Sequence, residues 1–523
     1  VDRTAVRGKN GTLLLDPENI RIVASSSPTA GDSLLSDQQI LFDEDAALDV
    51  QLTASAISAA IEQGDVIIQA RNSIAGGDSV VIGVADASNT NSLILEAGNS
   101  IALGGATTYL SVKLGEGNII FNSGVLDADG AMLSGFLDLN TAGNIYLRSA
   151  GAMSLSAPDI RAGGSLMLNG GQYVGIGYGR GTGRAIVEGN IHIATGHLQG
   201  QNILLPSDME YSFPNLALAE PTEEYHGQIK FTGEASQAQQ IFTDFYVGGQ
   251  VEIISASDAD LEFLHIGGIE ARDFVDINIA AVGDIVLPYT MTGGIIDISG
   301  IESEYIRNLA ATSREGSVRS GQAIRLSGNI SLEASDSINL NFLSLEGNSN
   351  NRIIDLSAGN DIVIGQIVNN ESNAVNIAIS SGGITEFGNS IFTYDGDFTA
   401  DANSFIFADG MVLDSTSAQE SSGGDIALIA QQDLVLPTII SGGVLNVQSN
   451  SGEILSETVA DVQGNAFFDA ATDIRLSQGF SLTAGGDVEF LANRILSSDF
   501  LVDEQVVSSG GALSYETTGG NVV

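Results

Sequence analysis

The sequence predicts an all-β chain folded as a right-handed parallel β-helix, a solenoid with short extra-helical insertions. Three observations lead there. One short Gly-polar-apolar motif returns along the whole chain, its densest copies stand 21 or 22 residues apart, and the links between apolar runs are too short for crossover helices.

The motif is Gly, then Asp, Asn, Gln or Ser, then apolar, any residue, apolar. It reads Gly64-Asp65-Val66-Ile67-Ile68, Gly117-Asn118-Ile119-Ile120-Phe121, Gly143-Asn144-Ile145-Tyr146-Leu147 and Gly249-Gln250-Val251-Glu252-Ile253, and again at Gly328, Gly424 and Gly486. A second, offset run lies between many copies, as in Asp336-Ser337-Ile338-Asn339-Leu340 and Asp473-Ile474-Arg475-Leu476. Each repeat therefore carries at least two short strands. Gly143 to Gly164 and Gly443 to Gly464 are each 21 residues, and Gly464 to Gly486 is 22, at the short end of solenoid periods.

Alternation at period two turns the first and third apolar residues of the motif to one side and the middle residue, such as Tyr146, Glu252 or Glu489, to water. A strand of this length cannot bury its apolar side alone, whereas stacked coils pair each strand with the next at about 4.8 Å. The Gly is expected to take positive φ at the corner, and the Asn or Asp beside it to bond the local backbone or stack in ladders.

Composition agrees. The chain has 523 residues, 43% of them hydrophobic, with 63 Gly, 8 Pro and no Trp: enough apolar material to bury, and many turns. Its formal charge is −46, from 19 Lys and Arg against 65 Asp and Glu, which makes nucleic acid and anionic lipid unsuitable partners. That charge reads as a solvated surface that keeps an apolar repeat soluble. Cysteine is absent, so disulfides, thiol nucleophiles and thiolate metal sites are absent too. No run of about 18 apolar residues occurs, and no membrane insertion is expected. The chain opens at Val1 without a signal sequence, as expected of a processed or truncated piece.

Breaks in the pattern divide the chain. Residues 1–75 hold a terminal cap and the first coils, 76–203 a stretch of solenoid, 204–240 an extra-helical insertion marked by Pro206, Pro214 and Pro221, and 241–523 the continuing solenoid. Smaller insertions are expected near 301–321, where Glu302, Glu304, Arg307, Arg314 and Arg319 suggest a short helix or loop, and near 387–422.

Catalytic chemistry finds little support. Carbohydrate-cleaving β-helices need carboxylate pairs with His, Arg or Lys in an anionic groove. Acidic pairs are too abundant here to be informative: Asp43 to Asp45, Asp127 with Asp129, and Asp395, Asp397 and Asp401. The chain has four His (His192, His197, His226 and His265), three Lys (Lys9, Lys113 and Lys230) and neither Gly-His-Gly nor Arg-Ile-Lys. The run Gly175 to Gly183 lacks the Lys-Ser or Lys-Thr of a phosphate loop and reads as a turn. No nine-residue calcium repeat occurs. Asp395, Asp397 and Asp401 are the candidate Ca²⁺ ligands, and no other cofactor is expected.

The amino-terminal region carries a resemblance. Gly11-Thr12-Leu13-Leu14-Leu15-Asp16-Pro17-Glu18-Asn19-Ile20, followed by Ile57-Ser58-Ala59-Ala60-Ile61-Glu62-Gln63-Gly64-Asp65-Val66-Ile67-Ile68-Gln69-Ala70, resembles filamentous haemagglutinin-like exoproteins of two-partner secretion. The match covers about the first 75 residues and looks like the junction of that family's secretion domain with its β-helical shaft. Ala56 to Glu62 has the composition of the short helix found there, with Gly64 suited to stop it. The family's secretion domain also carries Asn-Pro-Asn motifs, and that tripeptide is absent here, as it would be if the domain lay outside the chain.

The resemblance implies export through an outer-membrane transporter of a Gram-negative bacterium and folding at the cell surface. The expected function is that of a non-catalytic, secreted rod, an adhesin or structural shaft whose partners are a receptor on a host cell, a neighbouring cell or the matrix. Its alternatives are a filament or sheath subunit assembled end to end from copies of itself, and a polysaccharide-cleaving enzyme.

Overall fold

A computed structural model of the chain describes residues 17–518 apart from 25, 41–48, 77–78, 105–107, 127–129, 157, 178–183, 196–198, 205–209, 216–227, 233, 237–238, 242, 248, 256, 263, 269–274, 291–305, 346–350, 370–372, 418–422, 478–479 and 498–506; between 199 and 244 it describes the backbone alone. The chain is an all-β parallel solenoid with two short helices. It divides at Val282/Gly283 into two compact units.

In the first unit each coil gives one strand to each of three parallel sheets. Val66–Ala70, Ser73–Gly76 and Val80–Gly83 make one coil, and Leu93–Ala97, Ser100–Leu103 and Leu110–Lys113 the next. In the first sheet the register Val66, Leu93, Ile119, Ile145, Leu166, Ile191, Val251 runs unbroken from coil to coil, and all seven side chains are buried. These are the first apolar positions of the repeat motif, so the predicted inward face is the observed core.

The second unit repeats the arrangement. Its first sheet stacks Ile330–Ala334, Arg352–Ala358, Val375–Ser381, Phe398–Ala402, Ile426–Ala430, Leu445–Ser449, Ala466–Ala470, Val488–Ala492 and Leu513–Thr517, all parallel.

The polar residue of the motif has one recurring task. Its side-chain oxygen accepts the backbone N–H of the equivalent residue one coil on. In the first unit Asp65 Oδ1 accepts from Ser92, Ser92 Oγ from Asn118, Asn118 Oδ1 from Asn144, Asn144 Oδ1 from Ser165, Ser165 Oγ from Asn190 and Asn190 Oδ1 from Gln250, at 2.8–3.2 Å. In the second, Asn376 receives Asp397, which receives Asp425, which receives Val444, and Asn465 receives Asp487, which receives Ala512. The coil length read along this ladder runs from 19 to 28 residues, with 60 between Asn190 and Gln250.

The glycine works differently from expectation. Among the described glycines, positive φ occurs at Gly104, Gly124, Gly130, Gly135 and Gly410, none of which opens a copy of the motif. The motif glycines are needed because the preceding coil occupies the space of a side chain. A Cβ at Gly189 would lie 2.8 Å from Ser165 Oγ, one at Gly464 would lie 2.6 Å from the Gly443 carbonyl oxygen, and one at Gly486 would overlap Asn465 Oδ1. The oxygen that caps the next coil thus sits where a larger residue would place its Cβ. Gly64, in an outermost coil, has nothing closer than 3.8 Å.

The predicted helix forms over Ala54–Ile61, two residues earlier than expected at its start, because the Thr53 hydroxyl accepts the Ala56 N–H and caps it. Its end is not a left-handed glycine: Gly64 donates to the Ala60 carbonyl without positive φ. Ile57 and Ile61 are fully buried, the Gly83 N–H donates to Ser58 Oγ, and the Ile61 carbonyl accepts from the side chain of Asn91. The helix therefore closes the edge of the strand Val80–Gly83. The 3₁₀ helix Ala30–Asp37 closes the neighbouring strand Asp49–Thr53 through Asp32, whose carboxylate accepts from the backbone N–H and the hydroxyl of both Thr29 and Thr53. Burial pushes the Asp32 carboxyl up, but these bonds outweigh it and hold the group below its ordinary value.

Two expected insertions are coils. Near 301–321, Ile306–Ser313 and Val318–Leu326 are strands of the stack, with Leu309, Ala311, Val318 and Ile324 buried, and Arg307, Arg314 and Arg319 exposed. The charges that suggested a break occupy outward or turn positions. Within 387–422, Ile391–Phe392, Phe398–Ala402, Ser404–Phe407 and Val412–Asp414 all pair in parallel, and the local departure is an antiparallel bridge from Thr416 to Gly423. In the 204–240 region, Gln199–Leu204 pairs antiparallel with Glu210–Asn215 and Glu234–Ser236 with Gln239–Ile241, while Gln228–Thr232 lies in parallel register with Tyr173–Gly177.

The shared space at the corner gives a double-mutant test. Gly486→Ala is expected to lower unfolding stability by about 2–4 kcal/mol, and Asn465→Ala by about 1–2 kcal/mol for the lost bond to Asp487. In the double variant the clash with Asn465 Oδ1 is relieved, so its loss in denaturant unfolding should be smaller than the sum of the two single losses. Gly64→Ala should be near neutral in the same measurement.

Candidate functional site on the outer face of the first sheet

The outer side of the first sheet in the first unit is unlike that of an ordinary solvated strand. Ile67, Ile94 and Ile120 point away from the core and are nevertheless buried, with Tyr146 packed against them. Beside this apolar column runs a polar one, in register Gln69, Glu96, Asn122, Arg148, Asn169. Glu96 is 6% exposed. It accepts from Gln69 Nε2 and, at 3.3 Å, from Asn122 Nδ2.

Burial pulls the Arg148 guanidinium below its ordinary value, with the Glu96 carboxylate opposing, and burial pushes the Tyr146 hydroxyl up. Asn122 Oδ1 and Asn169 Nδ2, one coil to either side of Arg148, are buried without a hydrogen-bond partner. The apolar column and the polar groups beside it thus share one largely buried layer on the outer side of the sheet. In the second unit the equivalent positions are Asp355, Ala378, Thr399, Ala427, Asn446, Phe467 and Glu489, a mixed and mostly polar set.

The predicted Ca²⁺ ligands are not brought together. Asp395 stands in a left-handed turn, Asp397 Oδ1 is engaged by the Asp425 N–H as a rung of the ladder, and Asp401 is an outward residue of the strand Phe398–Ala402. Among the described residues, no three His, Cys, Asp or Glu side chains form a group able to hold a metal ion. Asp43 to Asp45, Asp127, Asp129, His197 and His226 lie outside the described residues, as does most of the Gly175–Gly183 run. His192 faces outward as expected and meets Glu252 at 3.1 Å. His265 is buried, edge-on to Tyr246 with ring centroids 5.9 Å apart.

The strongest ion pair lies in the second unit. Arg494 holds the buried Asp473 with two bonds, Nε to Oδ1 at 2.9 Å and Nη2 to Oδ2 at 2.5 Å, and Arg475 bridges Asp473 to Glu453. The bond from Arg494, against the opposing effect of burial, keeps the Asp473 carboxyl below its ordinary value of 3.8. Among the described residues, the carboxyls with a clear departure, Asp32, Asp86, Asp336 and Asp473, all move down.

The apolar column had a readable signal that period-two reasoning passes over. Val66-Ile67-Ile68, Leu93-Ile94-Leu95 and Ile119-Ile120-Phe121 are continuous apolar runs, the mark of strands covered on both faces.

Two outcomes are expected. Glu96→Leu should destabilise the fold by about 1–3 kcal/mol in denaturant unfolding, because it strips Gln69 and Asn122 of their acceptor and Arg148 of its neighbouring charge. Asp473→Asn should be less stable than wild type at neutral pH. Since the folded pKa is depressed, that difference is fully present above pH 3.8 and should vanish as the pH falls through the lower folded value. A difference unchanged in acid would refute the ionic origin.

No family model, no curated protein and no solved structure matches the chain.

Proposed function

We propose that the chain is a non-catalytic structural shaft of an extracellular exoprotein, one that holds adhesive surfaces away from a Gram-negative cell. The observation that supports this most directly is the side-chain ladder from coil to coil in each unit, which spends the recurring Asp, Asn and Ser of the motif on holding the stack together. The partner is a receptor on a host cell, a neighbouring cell or the matrix.

Export through an outer-membrane transporter agrees with the resemblance at residues 57–70 and with a cysteine-free sequence that can cross a pore unfolded and fold afterwards. Folding can then propagate coil by coil, since each coil needs only its neighbour.

The purified chain, incubated with acidic and neutral polysaccharides, should release neither reducing nor unsaturated ends, while beads coated with it should adhere to cells or matrix. Sustained turnover of any polysaccharide would replace this reading with an enzymatic one.

A further inference from the structure

One stretch of the second unit joins exposed apolar side chains with unopposed negative charge. Between Arg352 and Arg475 the sequence holds 17 Asp and Glu and no Lys, Arg or His. Ile353, Ile384, Phe392, Ile406, Val435 and Val459, all large hydrophobic residues turned to solvent, lie within it.

Three of them form a strip with Leu455 on the outer side of the successive strands Ile384–Phe387, Ser404–Phe407, Leu434–Val435 and Ile454–Ser456. Glu386 stands in register with Ile406, and Ile384, two residues earlier on the same strand, is the diagonal neighbour of Ile406. The Gln432 N–H donates to the Asn403 carbonyl, which carries the stack on so that Val435 lies one coil beyond Ile406, and Leu455 follows Val435 in register. Ile384, Ile406 and Val435 are 37%, 48% and 53% exposed, and Leu455 is half-buried.

The rim of the strip is acidic. Asp361, whose carboxylate accepts the Ile384 N–H, Glu386 and Asp433 are all exposed. Arg475, next in register after Leu455, ends the strip and is already held by Glu453 and Asp473. In the other direction the first cation in this register is Arg319, four coils from Ile406. A contiguous apolar strip with a charged rim marks a contact surface, and the sign of the rim selects the partner. A second copy of the chain would bring the same acids, and nucleic acid or an acidic glycan would be repelled in the same way.

We propose that this strip binds a cationic amphipathic polypeptide segment, whose apolar side chains cover Ile406 and Val435 while its Lys or Arg side chains meet Glu386 and Asp433. The proposal goes beyond the shaft reading and does not rest on it.

The test is fluorescence anisotropy of a labelled amphipathic helical peptide of Leu and Lys, titrated with the purified chain. Saturable binding that weakens as NaCl is added is expected, and peptides of Ser and Lys or of Leu and Ser should each bind about tenfold more weakly or worse. Ile406→Ser together with Val435→Ser should lower the affinity about tenfold or more, whereas Val81→Ser, at an exposed valine of the first unit, should leave it within about twofold. If the serine pair lowers the melting temperature, Glu386→Lys, at an exposed outward position, supplies the same test and should weaken binding about fivefold or more. No binding at low salt, a Ser and Lys peptide that binds as tightly, an affinity that the serine pair or Glu386→Lys leaves unchanged, or self-association of the chain that the serine pair abolishes would each overturn the proposal.

Discussion

One interaction sets the geometry of both units: a side-chain oxygen on one coil accepts the backbone N–H of the equivalent residue on the next. It explains why the second motif position is Asp, Asn or Ser, which are short enough to reach the adjacent coil and no further. The same oxygen fills the space a Cβ would need at the glycine that follows in the stack. Glycine and its polar neighbour are therefore two parts of one contact, and together they fix the register that lines up Val66, Leu93, Ile119 and Ile145 inside. At Val444 the accepting side chain is missing, and parallel backbone pairing alone joins that corner to the next coil.

Because the inner face and the corners satisfy themselves, the outer faces are free to differ. In the first unit the outer side of the first sheet is apolar and buried around Ile67, Ile94 and Ile120, with Glu96 and Arg148 set in the same layer. In the second unit it is largely polar, and the Asp473–Arg494 pair is the strongest of its ionic contacts among the described residues.

Much of the fold was legible because its energetics are local and repeated. The alternation in Ile145-Tyr146-Leu147 correctly assigns the inward pair, and the helix-forming composition of Ala56 to Glu62 marks the α-helix found at Ala54–Ile61. Misreadings arose where one residue type has two physical uses. The motif Gly suggested left-handed backbone and instead reflects close approach from the coil below. Arg314 and Arg319 suggested a loop, yet charged residues at turns and outward positions leave Val318 and Ile324 free to fill the core. Asp395, Asp397 and Asp401 are close in sequence, but a corner and a strand direct them to separate environments.

The sequence by itself determined the solenoid, its inward residues and the polar identity of its corners, because each depends on spacings of a few residues along one strand. Only the tertiary structure decided which outward residues are buried, what the glycines avoid and that Asp473 meets Arg494. Those outcomes depend on what the neighbouring coil or a covering segment places in contact, across separations of 19 to 60 residues that no local pattern encodes.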